Sequence, residues 1–339
     1  MIDANASCSN KVSDAMNGIF SFENLYRAYE QCTKGVKWKW STQNYMVNAC
    51  CRVARLRRKI IQGVYKSPPP RKFKVNERGK TREITALGFE DRIVNKCLCD
   101  NYLNPLLASK LVYDNGATIK GKGLSFTKNR VCCHLQRYFR KYGAEGYVLK
   151  MDIHHYFESI DHDVLISMIG KYVEDDCILR FIRQLVDTCN SGLGLGSQVS
   201  QISAVYYLND VDHYLKENLH CEFYGRYMDD MYVISRSKEF LFSVLSVVRR
   251  LLADIGLELN DSKSRIYRLV DGFVFCKTRY VLTSTGKILR LLVSSSMKSM
   301  KRKIQKGIDV SNILPSFRSY VKQFTASKRL YEFEKKYVM

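Results

Sequence analysis

The chain has 339 residues, long enough to bury a sizeable core over two or three subdomains. Its 55 Lys and Arg against 33 Asp and Glu give a formal charge of +22 on a globular composition, 46% hydrophobic and 12% aromatic, which points to a polyanion partner, most simply nucleic acid, over a merely soluble basic protein. No apolar run approaches membrane-spanning length, and the twelve Cys lack paired C-x-x-C spacing or His partners at zinc distances, so they read as reduced core thiols.

Residues 1–33 read as a polar lead without a basic-then-apolar leader, followed by a helix striped with Phe20, Phe22, Leu25, Tyr26 and Tyr29. The expectation is a cytoplasmic protein with no membrane contact. The basic excess is uneven: 15 basic residues and one acid, Glu77, lie between Lys34 and Arg82, and 11 basic residues and three acids between Lys298 and Met339. Two basic ends around a less basic middle suggest two walls of a groove. Tyr45–Gly63 reads as one basic amphipathic helix, whose Arg55 and Arg58 either contact phosphates or form a solvated face. Pro68-Pro69-Pro70 marks a boundary, and Arg71–Val75 and Thr81–Leu87 form a basic hairpin carrying Lys74, Lys80 and Arg82.

Phe89–Leu107 returns to helix, ending near Pro105; residues 112–124 are loop, with Lys122 between two glycines; Ser125–Tyr142 is a basic helix. Gly146–Ile153 is a buried strand that ends in an acid, Asp152. Val164–Cys189 is mainly helical, Gly192–Gly196 is a loop, and Ser200–Leu219 is helical again. After a central hairpin, Phe240–Ile255 forms an amphipathic helix closed by Gly256. Short strands follow at Leu257–Leu259 and Ser264–Tyr267, then a hairpin of Phe273–Phe275 and Tyr280–Leu282. The basic segment from about residue 286 to 339, with Lys301 and Arg302, reads as helical.

The central hairpin holds the chemistry. Aromatic and β-branched runs flank Met228-Asp229-Asp230, which puts two like charges on a rigid turn. Asp is a common solvated turn residue, but these flanks are too apolar for a surface loop, and paired acids are tolerable where a cation neutralises them. Oxygen ligands without His or Cys suit Mg²⁺. Asp152 reads either as a helix cap at a sheet edge or as the third carboxylate of a site for two Mg²⁺ ions, with Mn²⁺ as a substitute.

Lys150-Met151-Asp152-Ile153-His154-His155-Tyr156-Phe157-Glu158-Ser159-Ile160-Asp161 resembles motif A of reverse transcriptases, and Tyr227-Met228-Asp229-Asp230 resembles their motif C. Arg82 through Asp91-Arg92-Ile93-Val94 is similar to the fingers block, and Gly256–Asn260 with Lys263 to motif D. Gly272-Phe273-Val274-Phe275 sits where the primer grip is expected. The likeness covers roughly residues 70–285. It implies an α+β right-hand polymerase, with a basic helical extension at 1–66, fingers at 67–145, a ferredoxin-like β-α-β-β-α-β palm at 146–285 and a short helical thumb at 286–339.

The same resemblance implies that Asp152, Asp229, Asp230 and Lys263 are catalytic, Lys263 as a proton donor to pyrophosphate or else a solvated Lys. The implied metal set is Asp152, Ile153, Asp229 and Asp230. Nucleotide contacts would come from Arg82, Lys74, Lys80, Phe157, Leu195, Gly196 and Gln201, with Phe157 gating out the ribose 2′-hydroxyl unless it is only a core Phe. Nucleic acid would be held by Arg55, Arg58, Lys122, Lys301 and Arg302.

Leu195-Gly196-Ser197-Gln198-Val199-Ser200-Gln201 has Leu and Gln where most of the family has Gln and Pro, and it resembles the reverse transcriptases of diversity-generating retroelements. An amide before the Gly can hydrogen-bond where a Leu cannot, and apolar sites reject misfits less well than hydrogen-bonded ones. Leu195 is otherwise a packing residue and fidelity is ordinary. The subfamily implies a bacterial or phage-encoded enzyme that copies a template RNA into adenine-mutagenised cDNA from dNTPs, assisted by a small basic pentameric accessory protein. A group II intron-like or retron-like reverse transcriptase is the alternative.

Overall fold

A computed structural model describes residues 13–77, 80–305, 319, 321–325, 331–332 and 335–336. In chain order the elements are α1 (Asp14–Ile19), α2 (Phe22–Thr33), α3 (Trp40–Met46), α4 (Ala49–Ile61), β1 (Arg71–Glu77), β2 (Lys80–Ala86), α5 (Phe89–Leu98), α6 (Asn104–Ala108), α7 (Leu124–Tyr142), β3 (Tyr147–Asp152), α8 (Tyr156–Ser159) and α9 (His162–Gly170). They continue with α10 (Asp176–Val186), α11 (Gln198–Tyr207), α12 (Asn209–His213), β4 (Phe223–Tyr227), β5 (Asp230–Ser235), α13 (Lys238–Ala253), β6 (Arg265–Arg268), β7 (Phe273–Phe275), β8 (Thr278–Leu282), β9 (Ile288–Leu292) and α14 (Ser294–Gln305). The chain forms two compact units, Met1–Leu111 with His155–Asn209, and Val112–His154 with Asp210–Met339.

The first unit is mostly helical. Apolar stripes at helical spacing bury Leu25 on α2, Val53, Leu56 and Ile60 on α4, and Ile93, Val94 and Leu98 on α5. Polar side chains stop the orphan N–H groups at helix starts: Ser21 accepts from Asn24 N at 3.2 Å, and Ser197 from Ser200 N at 3.3 Å. The β1–β2 hairpin pairs Val75 with Arg82 and Lys74 with Glu83. Its turn residues, Arg78 and Gly79, lie outside the described residues.

In the second unit the strands pair antiparallel in the order β4-β5-β3-β6. Taken with the chain order strand, helices, hairpin, helix, strand, this is the ferredoxin-like β-α-β-β-α-β topology. β3 is central, so it is buried on both faces and reads as a nearly continuous apolar run. Helix α7, the sheet and a second sheet of order β7-β8-β9 share one core, with Leu135, Tyr138, Val148, Tyr232, Phe273 and Tyr280 fully or almost fully buried.

Several boundaries differ from the sequence reading, each for a physical reason. The helix expected over Tyr45–Gly63 is two: α3 ends and Asn48 leaves helical geometry at φ −131° before α4 begins. The helix expected to end near Pro105 runs on to Ala108, because a π-helical turn at Cys99–Leu103 precedes Pro105, which then starts α6 where its missing N–H costs nothing. The long helices expected over Val164–Cys189 and Ser200–Leu219 are likewise interrupted. Leu257–Leu259 contributes only a bridge from Leu259 to Ile153. The expected terminal helix is preceded by β9, whose Leu-rich run is drawn into strand by pairing with β8; residues 306–318 lie outside the described residues. Cys50 and Cys51 are exposed rather than core thiols. Among the described residues no helix is long and apolar enough to cross a membrane.

Candidate active site

Strand register builds the acidic centre in the second unit. Asp152, the last residue of β3, lies directly opposite Asp230, the first residue of β5. Tyr227 of β4 pairs with Asp230, which leaves Met228 and Asp229 as the two-residue turn. Asp152 is buried. The segment after α13 runs along the end of β3: Asn260 N donates to Asp152 O at 2.7 Å, His154 N to Glu258 O at 2.8 Å, and Asp152 N to Ser264 Oγ at 3.3 Å. That path delivers Lys263, whose Nζ donates to Asp152 Oδ1.

Two ammonium groups compensate the acids, one from Lys263 and one from Lys150. Lys150 Nζ lies 3.1 Å from Asp230 Oδ1. Lys150 escaped the sequence reading, although its spacing of two from Asp152 put it on the same face of β3. Burial, with Asp230 and Asp152 close by, pushes the Asp229 carboxyl up to about 6. Burial also raises Asp230, against the opposing pull of Lys150.

The three acids were expected to share two cations. Among the described residues no group of three or more His, Cys, Asp or Glu is disposed to hold a metal ion, and lysines occupy an oxygen of Asp152 and of Asp230. The donor set still fits a hard divalent cation. It consists of carboxylate oxygens, and the buried Asp230 Oδ1 already has a positive counter-charge, the Lys150 ammonium 3.1 Å away, in a place a cation would suit. Like-charged carboxylates this close also favour a cation between them.

The turn is held from beneath. Met228 takes a left-handed φ of 56°, uncommon for a side chain of its size. The Arg226 Nη1 donates to Met228 O at 3.1 Å, and its Nε and Nη2 donate to Asp212, with both side chains fully buried. Tyr224 OH donates to the same carboxylate. A second buried group, Asp114, receives Arg130 Nε at 2.6 Å and Lys216 Nζ at 2.8 Å, with His134 bridging to Tyr232 OH at 2.9 Å. Burial works against ionised Asp114, but hydrogen bonds from His134, Arg130 and Lys216 prevail and hold its carboxyl well below the usual range. Neither cluster was legible in the sequence: Asp212 lies 14 positions before Arg226 on a different element, and Asp114 lies 102 positions before Lys216.

In the first unit the loop before α11 meets two other motifs. Leu195 O accepts from Thr85 N at 3.0 Å, which ties Leu195 and Gly196 to the end of the strand carrying Arg82. A Cβ on Gly196, at φ +133°, would fall 2.7 Å from Thr85 O. Leu193 N donates to Phe157 O at 2.6 Å, so the same loop fixes the backbone of Phe157, whose ring meets Tyr156 edge-on at 5.7 Å. Gly192 is required there: at φ +60° a Cβ would sit 2.4 Å from Phe157 O and 2.6 Å from Glu158 O. Gly192→Ala is therefore expected to destabilise the fold by about 2 kcal/mol or more, read as a lower denaturation midpoint.

Lys74 and Arg82 are exposed on the hairpin, Lys80 opens β2, and Gln201 is exposed on α11. Arg55 and Arg58 are exposed on α4, and Lys301 and Arg302 on α14. Lys122 is different: its Nζ donates to Tyr113 O at 2.7 Å and lies over the Tyr113 and Phe126 rings, so it staples its own loop. Ile153 is buried, and its backbone is bridged to Leu259.

Residues 69–308 match the family described as reverse transcriptase (RNA-dependent DNA polymerase). No curated protein matches the sequence. Among solved structures the chain is similar to apo telomerase from Candida tropicalis truncated from its C-terminal domain, with TM-score 0.53 and 13% identity over 66% of this chain and 55% of that one. It is also similar to telomerase from Candida albicans in complex with a TWJ fragment of telomeric RNA, with TM-score 0.53 and 12% identity over 72% of this chain and 51% of that one. The chain spans about half the length of these telomerase chains. At such identity the likeness bears on the fold, which is that of right-hand polymerases.

Proposed function

The chain belongs to the reverse transcriptase (RNA-dependent DNA polymerase) family, and from that premise we propose that it copies a template RNA into cDNA by nucleotidyl transfer from dNTPs. The observation that carries this reading is the register that faces Asp152 with Asp230 and sets Asp229 on the adjoining turn. Its parts are an N-terminal extension at 1–66, fingers at 67–145, a palm at 146–285 and a thumb at 286–339.

The carboxylates of Asp152, Asp229 and Asp230, with the main chain of Ile153, would hold the Mg²⁺ ions. When bound, such ions activate the primer hydroxyl and neutralise the departing pyrophosphate. The chain's own residues position the reactants and balance their charge. Lys263 is held on Asp152 and supplies a proton to pyrophosphate as it leaves. Lys150 keeps Asp230 charge-compensated between turnovers. Arg82, with Lys74 and Lys80, binds the triphosphate, while Arg55, Arg58, Lys301 and Arg302 take phosphates of the nucleic acid.

Phe157 excludes the ribose 2′-hydroxyl. Phe157→Ala is expected to narrow the preference for dNTPs over rNTPs by about 100-fold, measured as the ratio of kcat/KM values.

Leu195 favours the more specific assignment, mutagenic retrohoming by a diversity-generating retroelement of a bacterium or phage, with a small basic pentameric partner. An apolar side chain before Gly196 offers no hydrogen bond to police the pairing geometry. The test is Mg²⁺-dependent extension on an RNA template, with and without the accessory protein, followed by sequencing of the cDNA. Errors concentrated opposite adenine are expected. Errors spread evenly over the four template bases would overturn the mutagenic assignment and favour a group II intron-like or retron-like enzyme.

A further inference from the structure

The chain has two tryptophans, Trp38 and Trp40, and both are held out to solvent, 74% and 76% exposed. An indole is a large apolar surface that folding normally hides, and an exposed apolar patch within a polar rim marks an interaction site. The segment is built rather than loose. Gly35 turns the chain at φ +73°, Val36 N donates to Thr33 O at 3.2 Å and Lys39 N to Val36 O at 3.0 Å. Trp38 Nε1 donates to Gly35 O at 3.3 Å, and Lys39 Nζ lies 5.4 Å from the Trp38 ring centre.

The surrounding charge says what the partner is. Between Gln31 and Lys59 there are eight Lys and Arg and no acid, and Lys34, Lys37 and Lys39 beside the indoles are exposed. Flat rings interleaved with cations match a chain of flat bases joined by phosphates: stacking suits the bases and the ammonium groups suit the backbone. A paired base offers no free face to such a ring, so the bases must be unpaired.

We infer that Trp38 and Trp40, flanked by Lys34, Lys37 and Lys39, form a stacking platform for unpaired bases of a single-stranded nucleic acid. The platform is an anchoring surface additional to the polymerase centre, and its existence does not depend on the polymerase reading. Because the ordered turn presents the rings in advance, little conformational freedom is lost on binding.

The two tryptophans also supply the readout, because selective excitation of tryptophan reports on this surface alone. Titration of the full chain with a single-stranded RNA of about 16 nucleotides is expected to quench the emission, and the DNA strand of the same sequence should do likewise. The RNA annealed to its complement should quench far less at equal phosphate. Equal quenching by the duplex, or no quenching by the single strand, overturns the proposal. So does a blue-shifted, enhanced emission seen only with phosphatidylglycerol vesicles, which would make the patch a membrane contact. In anisotropy titrations with labelled RNA, Trp38→Ala and Trp40→Ala should each weaken binding by about tenfold, whereas the Phe variants retain most of it. Quenching that persists in Asp229→Asn, whatever that variant does to extension, keeps this outcome separate from the fate of the polymerase reading.

Discussion

Asp229→Asn is expected to lower RNA-templated extension by about a thousandfold or more, a barrier increase of roughly 4 kcal/mol, while leaving RNA affinity intact. The amide keeps the size and polarity of the side chain, so what is lost is negative charge at the turn where a divalent cation would bind. The result is read as single-turnover extension of a primer on an RNA template. Extension that survives in Asp229→Asn and in Asp152→Asn would remove these acids from the chemistry.

The same variant has a second expected effect of opposite sign. The Asp229 carboxyl is pushed up to about 6 by burial and by Asp230 and Asp152, against an ordinary value of 3.8. Between those two values the folded chain binds more protons than the unfolded one, so stability falls as pH rises through that window and stays lower above it. Ionised Asp229 thus costs the metal-free fold up to about 3 kcal/mol at neutral pH. In chelator at neutral pH, Asp229→Asn should unfold at a higher denaturant concentration than the parent, and below pH 4 the difference should vanish. Loss of activity with a gain of stability separates a functional acid from a structural one.

Asp212→Ala is expected to have the largest effect on stability, a loss of about 3–5 kcal/mol. Asp212 and Arg226 are both fully buried, and truncating the acid takes away the carboxylate that its guanidinium is paired with in the core. Tyr224 loses its acceptor at the same time. The conservative Asp212→Asn should fold better than the Ala variant, because an amide oxygen can still accept from Arg226. Since Arg226 also holds the Met228 carbonyl, extension by the Asn variant should fall more than its denaturation midpoint predicts. A destabilisation of the Ala variant under 1 kcal/mol would show that the pair is not sealed from water.

Much of the acidic centre was legible because its residues announce themselves locally. Asp152 ends an apolar strand, and Asp229 and Asp230 interrupt a run of aromatic and β-branched residues. Chain order then gives the ferredoxin-like topology, since strand, helix, hairpin, helix and strand admit few antiparallel arrangements. The loop at Gly192–Gly196 and the hairpin over residues 71–87 were equally plain, for they rest on glycine, proline and period-two patterns.

What stayed hidden depends on partners far along the chain. Lys150 reads as one more basic residue until β5 sets Asp230 beside it, and for Lys263 the sequence leaves a proton donor and a solvated side chain side by side, until the segment after α13 lies along β3 and brings its ammonium to Asp152. Arg226 would pass for a surface charge on a strand; only burial against Asp212 makes it the support of the turn. The residues of β9 have no strong preference of their own and become a strand because β8 offers unsatisfied backbone groups. Periodicity and turn chemistry are written in neighbouring residues, so the sequence alone determines the strongly patterned segments, such as β3 and the central hairpin, and which acids end them. Register, burial and charge compensation are energies between distant segments, and only the tertiary structure decides them.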